Sequence, residues 1–234
     1  MKKIALLGGL GPESTILYYR GIIDAFHETY DVGGYPEIFI DSVDLKRTLM
    51  MAENELWHEL ADELGGRFEV MRKAGAEIGA MGSNTPHKIF DEIQAQTLLP
   101  LVSIVTSTRL LAEKNNLKRL LLLGTEITMS SDFYHRQFNK IGIDIVVPND
   151  ADQNYIHDKI FSEIEHGDIQ EETKKKILGI INENKKEHLD GVILGCTELP
   201  LIIEKNDVDL FYLNTTQIHI DAIVHACLAG RQTT

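Results

Sequence analysis

Only two cysteines, Cys196 and Cys227, occur in the 234 residues, with one tryptophan and six prolines. Two cysteines without a pairing framework or metal-type spacing exclude a disulfide scaffold or a zinc module and fit a reducing compartment. Long apolar runs are missing too. No stretch approaches the roughly 20 residues that a membrane span needs, and the run after Lys3 is broken at Gly11-Pro12, too early for a secretory leader. We therefore expect an untargeted, cytoplasmic protein with no membrane partner. Basic charge is in deficit, 23 Lys and Arg against 36 Asp and Glu for a net charge of -13. That field opposes the phosphate attraction behind nucleic-acid binding, so nucleic acid is excluded as an expected partner. With no Pro- or Ser-rich linker, any two domains must be closely joined rather than tethered.

What is present is a rhythm. Short apolar runs at Ile4 to Leu7, Glu37 to Ile40, Ala76 to Met81, Leu101 to Val105, Leu120 to Leu123, Ile143 to Val147 and Val192 to Leu194 end in Gly, Asn or Asp and alternate with amphipathic stretches. That reads as an α/β protein with mainly parallel strands. Leu56, Leu60, Leu64, Phe68 and Met71 recur at helical spacing in a stretch beginning near Glu53, as do Ile156, Ile160 and Ile164 further on. These stripes face a core and carry no chemistry.

A faint internal repeat runs through the rhythm. Leu6 to Arg20 aligned with Leu122 to Arg136, an offset of 116 (134 minus 18), gives six identities in fifteen columns, among them Gly8/Gly124, Ser14/Ser130 and Tyr18/Tyr134. At nearly the same offset, 113 (196 minus 83), Gly82-Ser83-Asn84-Thr85 and Gly195-Cys196-Thr197-Glu198 each close an apolar strand. Loops at the carboxyl ends of parallel strands are where open α/β sheets put ligands. Two similar halves facing each other would bring both loops to one cleft. Coincidence among βα units, which all share strand, glycine turn and helix, is the competing explanation.

Cys196 follows a buried-looking strand and precedes Thr197-Glu198-Leu199-Pro200, which reads as a first helical turn. Free backbone amides there can stabilise a thiolate, giving a base or nucleophile. A free cysteine is more often a small buried hydrophobe, the role we assign to Cys227 within Ile218 to Leu228. Ser83 sits in Met81-Gly82-Ser83-Asn84-Thr85-Pro86-His87, where a hydroxyl caps a helix or faces a substrate. Asn84 and Thr85 are capping types too, and donors or acceptors suited to a carboxylate or ammonium group. Gly9-Leu10-Gly11 has Ser14 where a dinucleotide fingerprint needs a third Gly or Ala. Its exposed amides, at Gly11 for example, suit a carboxylate at a helix start. The nine histidines are scattered and make no metal pattern.

Gly8-Gly-Leu-Gly-Pro-Glu-Ser-Thr15, Gly82-Ser-Asn-Thr85, Leu123-Gly-Thr125 with Thr128-Met129 and Phe133-Tyr134, and Leu194-Gly-Cys-Thr-Glu-Leu199 together resemble the aspartate/glutamate racemase family, in order and over nearly the whole chain. The resemblance implies two similar three-layer α/β halves related by a pseudo-twofold axis, which we place at 1–97 with 207–234 and at 98–206. It implies an active site in the interdomain cleft, a homodimer, no pyridoxal phosphate or other cofactor, no metal, and a small acidic amino acid as partner. Two cysteines of that family flank the substrate α-carbon as acid and base. Cys196 matches one of them. Asn84, Thr85, Thr128 and Thr197 match positions that bind the amino and carboxylate groups, and Glu198 matches an acidic neighbour that tunes the thiol. Arg47 resembles a loop arginine holding the side-chain carboxylate, a task suited to a guanidinium fork. His166 stands where relatives carry another basic residue.

Ser83 departs from the pattern. A hydroxyl is a poor α-proton base beside a thiol, so the resemblance implies one-sided or impaired racemisation of aspartate or glutamate through Cys196 and Ser83. A single cysteine also fits a decarboxylase of malonate-type acids, and the missing second cysteine fits a non-catalytic dicarboxylate-binding protein.

Overall fold

The computed structural model describes residues 1–29 and 34–229. It divides into two compact units, Met1–Ile104 with His219–Thr234, and Val105–Ile218.

The first unit contains β1 (Ile4–Gly8), α1 (Pro12–Thr29), β2 (Ile38–Ser42), α2 (Leu45–Glu53), α3 (Trp57–Lys73), β3 (Ile78–Met81), α4 (Phe90–Ala95) and β4 (Leu101–Val102). Its strands form one sheet in the order β2-β1-β3-β4, every pairing parallel. β1 is buried along its whole length, and its alternate residues serve opposite faces, as the two-residue strand period requires. Ala5 and Leu7 join Leu60, Leu64 and Phe68 of α3. Ile4 and Leu6 join Tyr18, Ile22 and Phe26 of α1 with Ile220, Ile223 and Val224 from the last helix. Helices thus cover both faces, which explains the near-continuous apolar strands.

The second unit follows with α5 (Ile104–Lys114), β5 (Arg119–Leu123), α6 (Glu126–Ser130), α7 (Phe133–Asn139), β6 (Asp144–Val146), α8 (Asp150–Ser162), α9 (Glu171–Asn184), β7 (Gly191–Leu194), α10 (Leu199–Ile202) and β8 (Phe211–Asn214). α11 (Thr215–Leu228) returns the chain to the first unit. The sheet order, β6-β5-β7-β8, repeats that of the first unit, again with parallel pairing throughout. Leu121, Leu123, Val192 and Leu194 join Ile156 and Ile160 of α8 and Ile177, Ile180 and Ile181 of α9. The internal repeat is therefore structural: β1 corresponds to β5 and β3 to β7, and the paired tyrosines Tyr18 and Tyr134 are both fully buried.

Some local expectations need correction. Leu56 is exposed and precedes α3 rather than joining its stripe, because Glu55 adopts a left-handed φ of 57° that separates α2 from α3. The strand expected over Leu101 to Val105 stops at Val102, since α5 starts at Ile104. β8 has no counterpart among the expected strands.

Candidate functional site

In a parallel sheet ordered 2-1-3-4 the chain leaves the first and third strands in opposite directions, opening a crevice outside their carboxyl ends. In the first unit the turns following β1 and β3 border that point. In the second unit those following β5 and β7 do so. The two motifs containing Ser83 and Cys196 thus occupy equivalent strand ends.

The first-unit turns are tightly tied. Gly9 has φ +74°, and a Cβ on it would lie 2.3 Å from the Val43 carbonyl oxygen, so only glycine fits. Its amide donates to Thr15 Oγ1 at 2.8 Å, and Thr15 in turn donates from its hydroxyl to the Gly11 carbonyl at 3.1 Å. The glycine turn serves strand approach and the start of α1. Ser83 is half-buried, Asn84 is buried and precedes a 3-10 turn over Thr85–Ile89, and Thr85 is half-buried. The Gly82 carbonyl accepts from Ser14 Oγ at 2.7 Å, and the Ser83 carbonyl accepts from His87 Nδ1 at 3.0 Å. Ser83 is no helix cap. Arg47 lies in α2, with its side chain 63% exposed and Nη2 2.8 Å from Glu63 Oε2. That oxygen is buried and lacks an aligned hydrogen bond. Arg67 completes the network, to Glu63 at 3.4 Å and to Asp41 at 3.0 Å.

In the second unit the Cys196 thiol donates to Glu198 Oε2 at 2.8 Å, and Thr197 Oγ1 donates to the same oxygen at 2.7 Å. All three residues are buried. Burial, then the Glu198 charge and its hydrogen bond, push the thiol well above the ordinary cysteine range. The sequence expectation of a stabilised thiolate is thereby reversed. Cys196 lies two residues ahead of Glu198, the cap of α10, and α10 spans only Leu199–Ile202, so its few free amides do not outweigh the adjacent carboxylate. Thr128, fully buried, belongs to α6, whose Thr125 cap accepts from its amide at 3.4 Å. Its methyl lies over the strand ends, 3.0 Å from where a Gly124 Cβ would be and 3.1 Å from that of Gly195.

The model for Asp/Glu/hydantoin racemase matches residues 7–223. The chain belongs to that family. It is 25% identical over 205 residues to the broad specificity amino-acid racemase RacX of Bacillus subtilis (strain 168), covering 86% of this chain and 87% of that protein. The crystal structure of an aspartate racemase homologue from Pyrococcus horikoshii OT3 superposes with a TM-score of 0.85 at 35% identity, covering 97% of this chain and 99% of that one. An aspartate racemase of Picrophilus torridus shares the fold, with a TM-score of 0.80 at 20% identity over 96% of this chain and 94% of that chain.

Three residues absent from the sequence reading, Glu165, Thr215 and Thr216, lie beside the second-unit motif of this racemase-family chain. His166 is exposed, while its neighbour Glu165 is half-buried. Burial and the Glu198 charge raise the Glu165 carboxyl, and Glu165 in turn helps hold Cys196 protonated. Glu165 lies on a 3-10 turn, Ile164–His166, that packs on α10, and no motif spacing signals that packing. Thr215 Oγ1 donates to the Leu194 carbonyl at 2.7 Å, and beside it Thr216 Oγ1 is buried with no hydrogen-bond partner. Recognising β8 would have drawn attention to this pair. Among the described residues no group of three or more His, Cys, Asp or Glu is arranged to hold a metal ion.

Proposed function

We propose that this protein racemises an acidic amino acid, aspartate or glutamate, by proton transfer at the α-carbon without pyridoxal phosphate or a metal. The buried Cys196–Glu198 hydrogen bond carries this reading. A thiol joined to a carboxylate can pass its proton to that carboxylate, which moves the pair's single negative charge onto sulfur, where a substrate ammonium group favours it, and the thiolate then takes the α-proton. Thr197, Thr128, Asn84, Thr85 and the Gly11 turn supply contacts for the ammonium and α-carboxylate groups. Arg47, its side chain 63% exposed, holds the side-chain carboxylate by exchanging Glu63 for the substrate.

Returning the proton from Cys196 to the face it left gives exchange without inversion. Inversion needs a proton on the opposite face, which Ser83 relays from solvent. A hydroxyl performs this poorly, so inversion is slow relative to exchange. The test is to incubate single enantiomers of aspartate and glutamate and separate the products by chiral chromatography. Slow inversion, abolished by Cys196→Ala and raised at least about tenfold by Ser83→Cys, is expected. An unchanged rate in Ser83→Cys would remove position 83 from the reacting carbon.

The protonated state of Cys196 also favours a second reading, in which the thiol protonates the carbanion left when a malonate-type acid loses carbon dioxide. Carbon dioxide release from such an acid, with no inversion of amino acids, would select it.

A further inference from the structure

A backbone residue's side chain points where its two flanking peptide planes send it. Around Ser83 both planes are held by side chains from elsewhere in the first unit. The carbonyl before it, of Gly82, accepts from Ser14 of α1 at 2.7 Å, and the Gly82 amide donates to Leu7 of β1 at 2.9 Å. The carbonyl after it, Ser83's own, accepts from His87 Nδ1 at 3.0 Å. The other ring nitrogen of His87 is also used, because the Ile104 amide donates to Nε2 at 3.2 Å. One nitrogen must carry a proton and the other must not, so these two bonds specify a neutral ring of a single tautomer.

The surroundings keep it so. His87 stacks on Phe90, with centroids 5.2 Å apart and planes 9° from parallel, and meets the edge of His219 at 6.1 Å. His219 is fixed in turn by the Tyr18 hydroxyl on Nδ1 at 2.8 Å and by donation from Nε2 to the Val102 carbonyl at 2.9 Å. Both imidazoles are buried, and burial holds them neutral. The second unit lacks this device: the position matching His87 at offset 113 is Pro200 (87 plus 113), and Cys196 is held through its own side chain by Glu198.

We propose that His87, as a neutral Nδ1–H imidazole, is a positioning residue that aims the Ser83 hydroxyl and so controls inversion but not exchange at the Cys196 face. This rests on the racemase reading above. Its test measures two rates with single enantiomers of aspartate and glutamate in deuterated water, α-proton exchange and inversion, in the wild type and in the Ser83→Cys background. His87→Leu keeps the volume and loses both bonds. It is expected to lower the inversion-to-exchange ratio at least about tenfold in either background, while His87→Asn, whose amide reproduces the Nδ1–H donor, restores most of it. Ring nitrogen chemical shifts of the wild type are expected to show the neutral Nδ1–H form at pH 7, which covers the case in which His87→Leu does not fold. An Nε2–H or cationic ring, or an unchanged ratio in His87→Leu, overturns the inference alone. A wild type that neither exchanges nor inverts either acid overturns the racemase reading and this inference with it.

Discussion

Cys196 and Glu198, two residues apart, share a buried hydrogen bond of 2.8 Å from thiol to carboxylate. Burial first, then the Glu198 charge and this bond, favour the protonated sulfur in the free protein. The thiolate is thus disfavoured in the free protein. This guards a buried sulfur against oxidation and alkylation, since both follow thiolate character.

Removing that charge should release the thiolate. In Glu198→Gln the Cys196 titration is expected to move down, making alkylation at pH 8 faster than in the wild type. Rates of iodoacetamide labelling at Cys196 read this effect. Slower or equal labelling would contradict the assigned role of Glu198.

Glu165→Gln should act in the same direction but less, since the Glu165 charge acts on the thiol more weakly than that of Glu198. Labelling faster than wild type and slower than Glu198→Gln is the expected order, measured on the three proteins at one pH.

Acid should loosen the first unit first. Burial lowers His87 to about 3 and His219 to about 4, against about 6.5 in an unfolded chain. Both folded values are depressed, so the unfolded state binds protons first. Their contribution is complete above pH 6.5 and is lost as pH falls toward 4. At pH 4.5 the loss is on the order of 2–3 kcal/mol per histidine. Urea unfolding at pH 7 and pH 4.5 checks this, and His219→Phe should flatten the dependence by roughly half.

Gly9→Ala should destabilise the first unit by about 2 kcal/mol or more, through its positive φ and the collision with the Val43 backbone. Thermal unfolding measures it. A stability equal to wild type would mean that this turn is not needed for the approach of β1 to the chain after β2.

Most of the fold could be read from the sequence because parallel strands covered on both faces are runs such as Leu120 to Leu123, whose apolar continuity survives without any neighbour. β8 could not. Its burial alternates only partly, with Phe211 exposed and Leu213 buried, and it is set by pairing with β7. The α2–α3 break turned on one left-handed residue, Glu55, of a type that gives no turn signal. Within the site, the strand-end positions of Ser83 and Cys196 followed from periodicity. The protonation of Cys196 did not, because it depends on where Glu198 and Glu165 point. His87 was visible as a residue beside Ser83, yet its task requires Ile104 and His219, remote in sequence.

In the proposed reaction Cys196 moves the α-proton of an acidic amino acid. Single enantiomers of aspartate and glutamate, incubated with the wild type in deuterated water and followed by proton NMR, address it directly. Loss of the α-proton signal from one enantiomer, reduced about a hundredfold or more in Cys196→Ser, is the predicted result. Retention of the signal in every enantiomer of both acids, or equal exchange by Cys196→Ser, would contradict it.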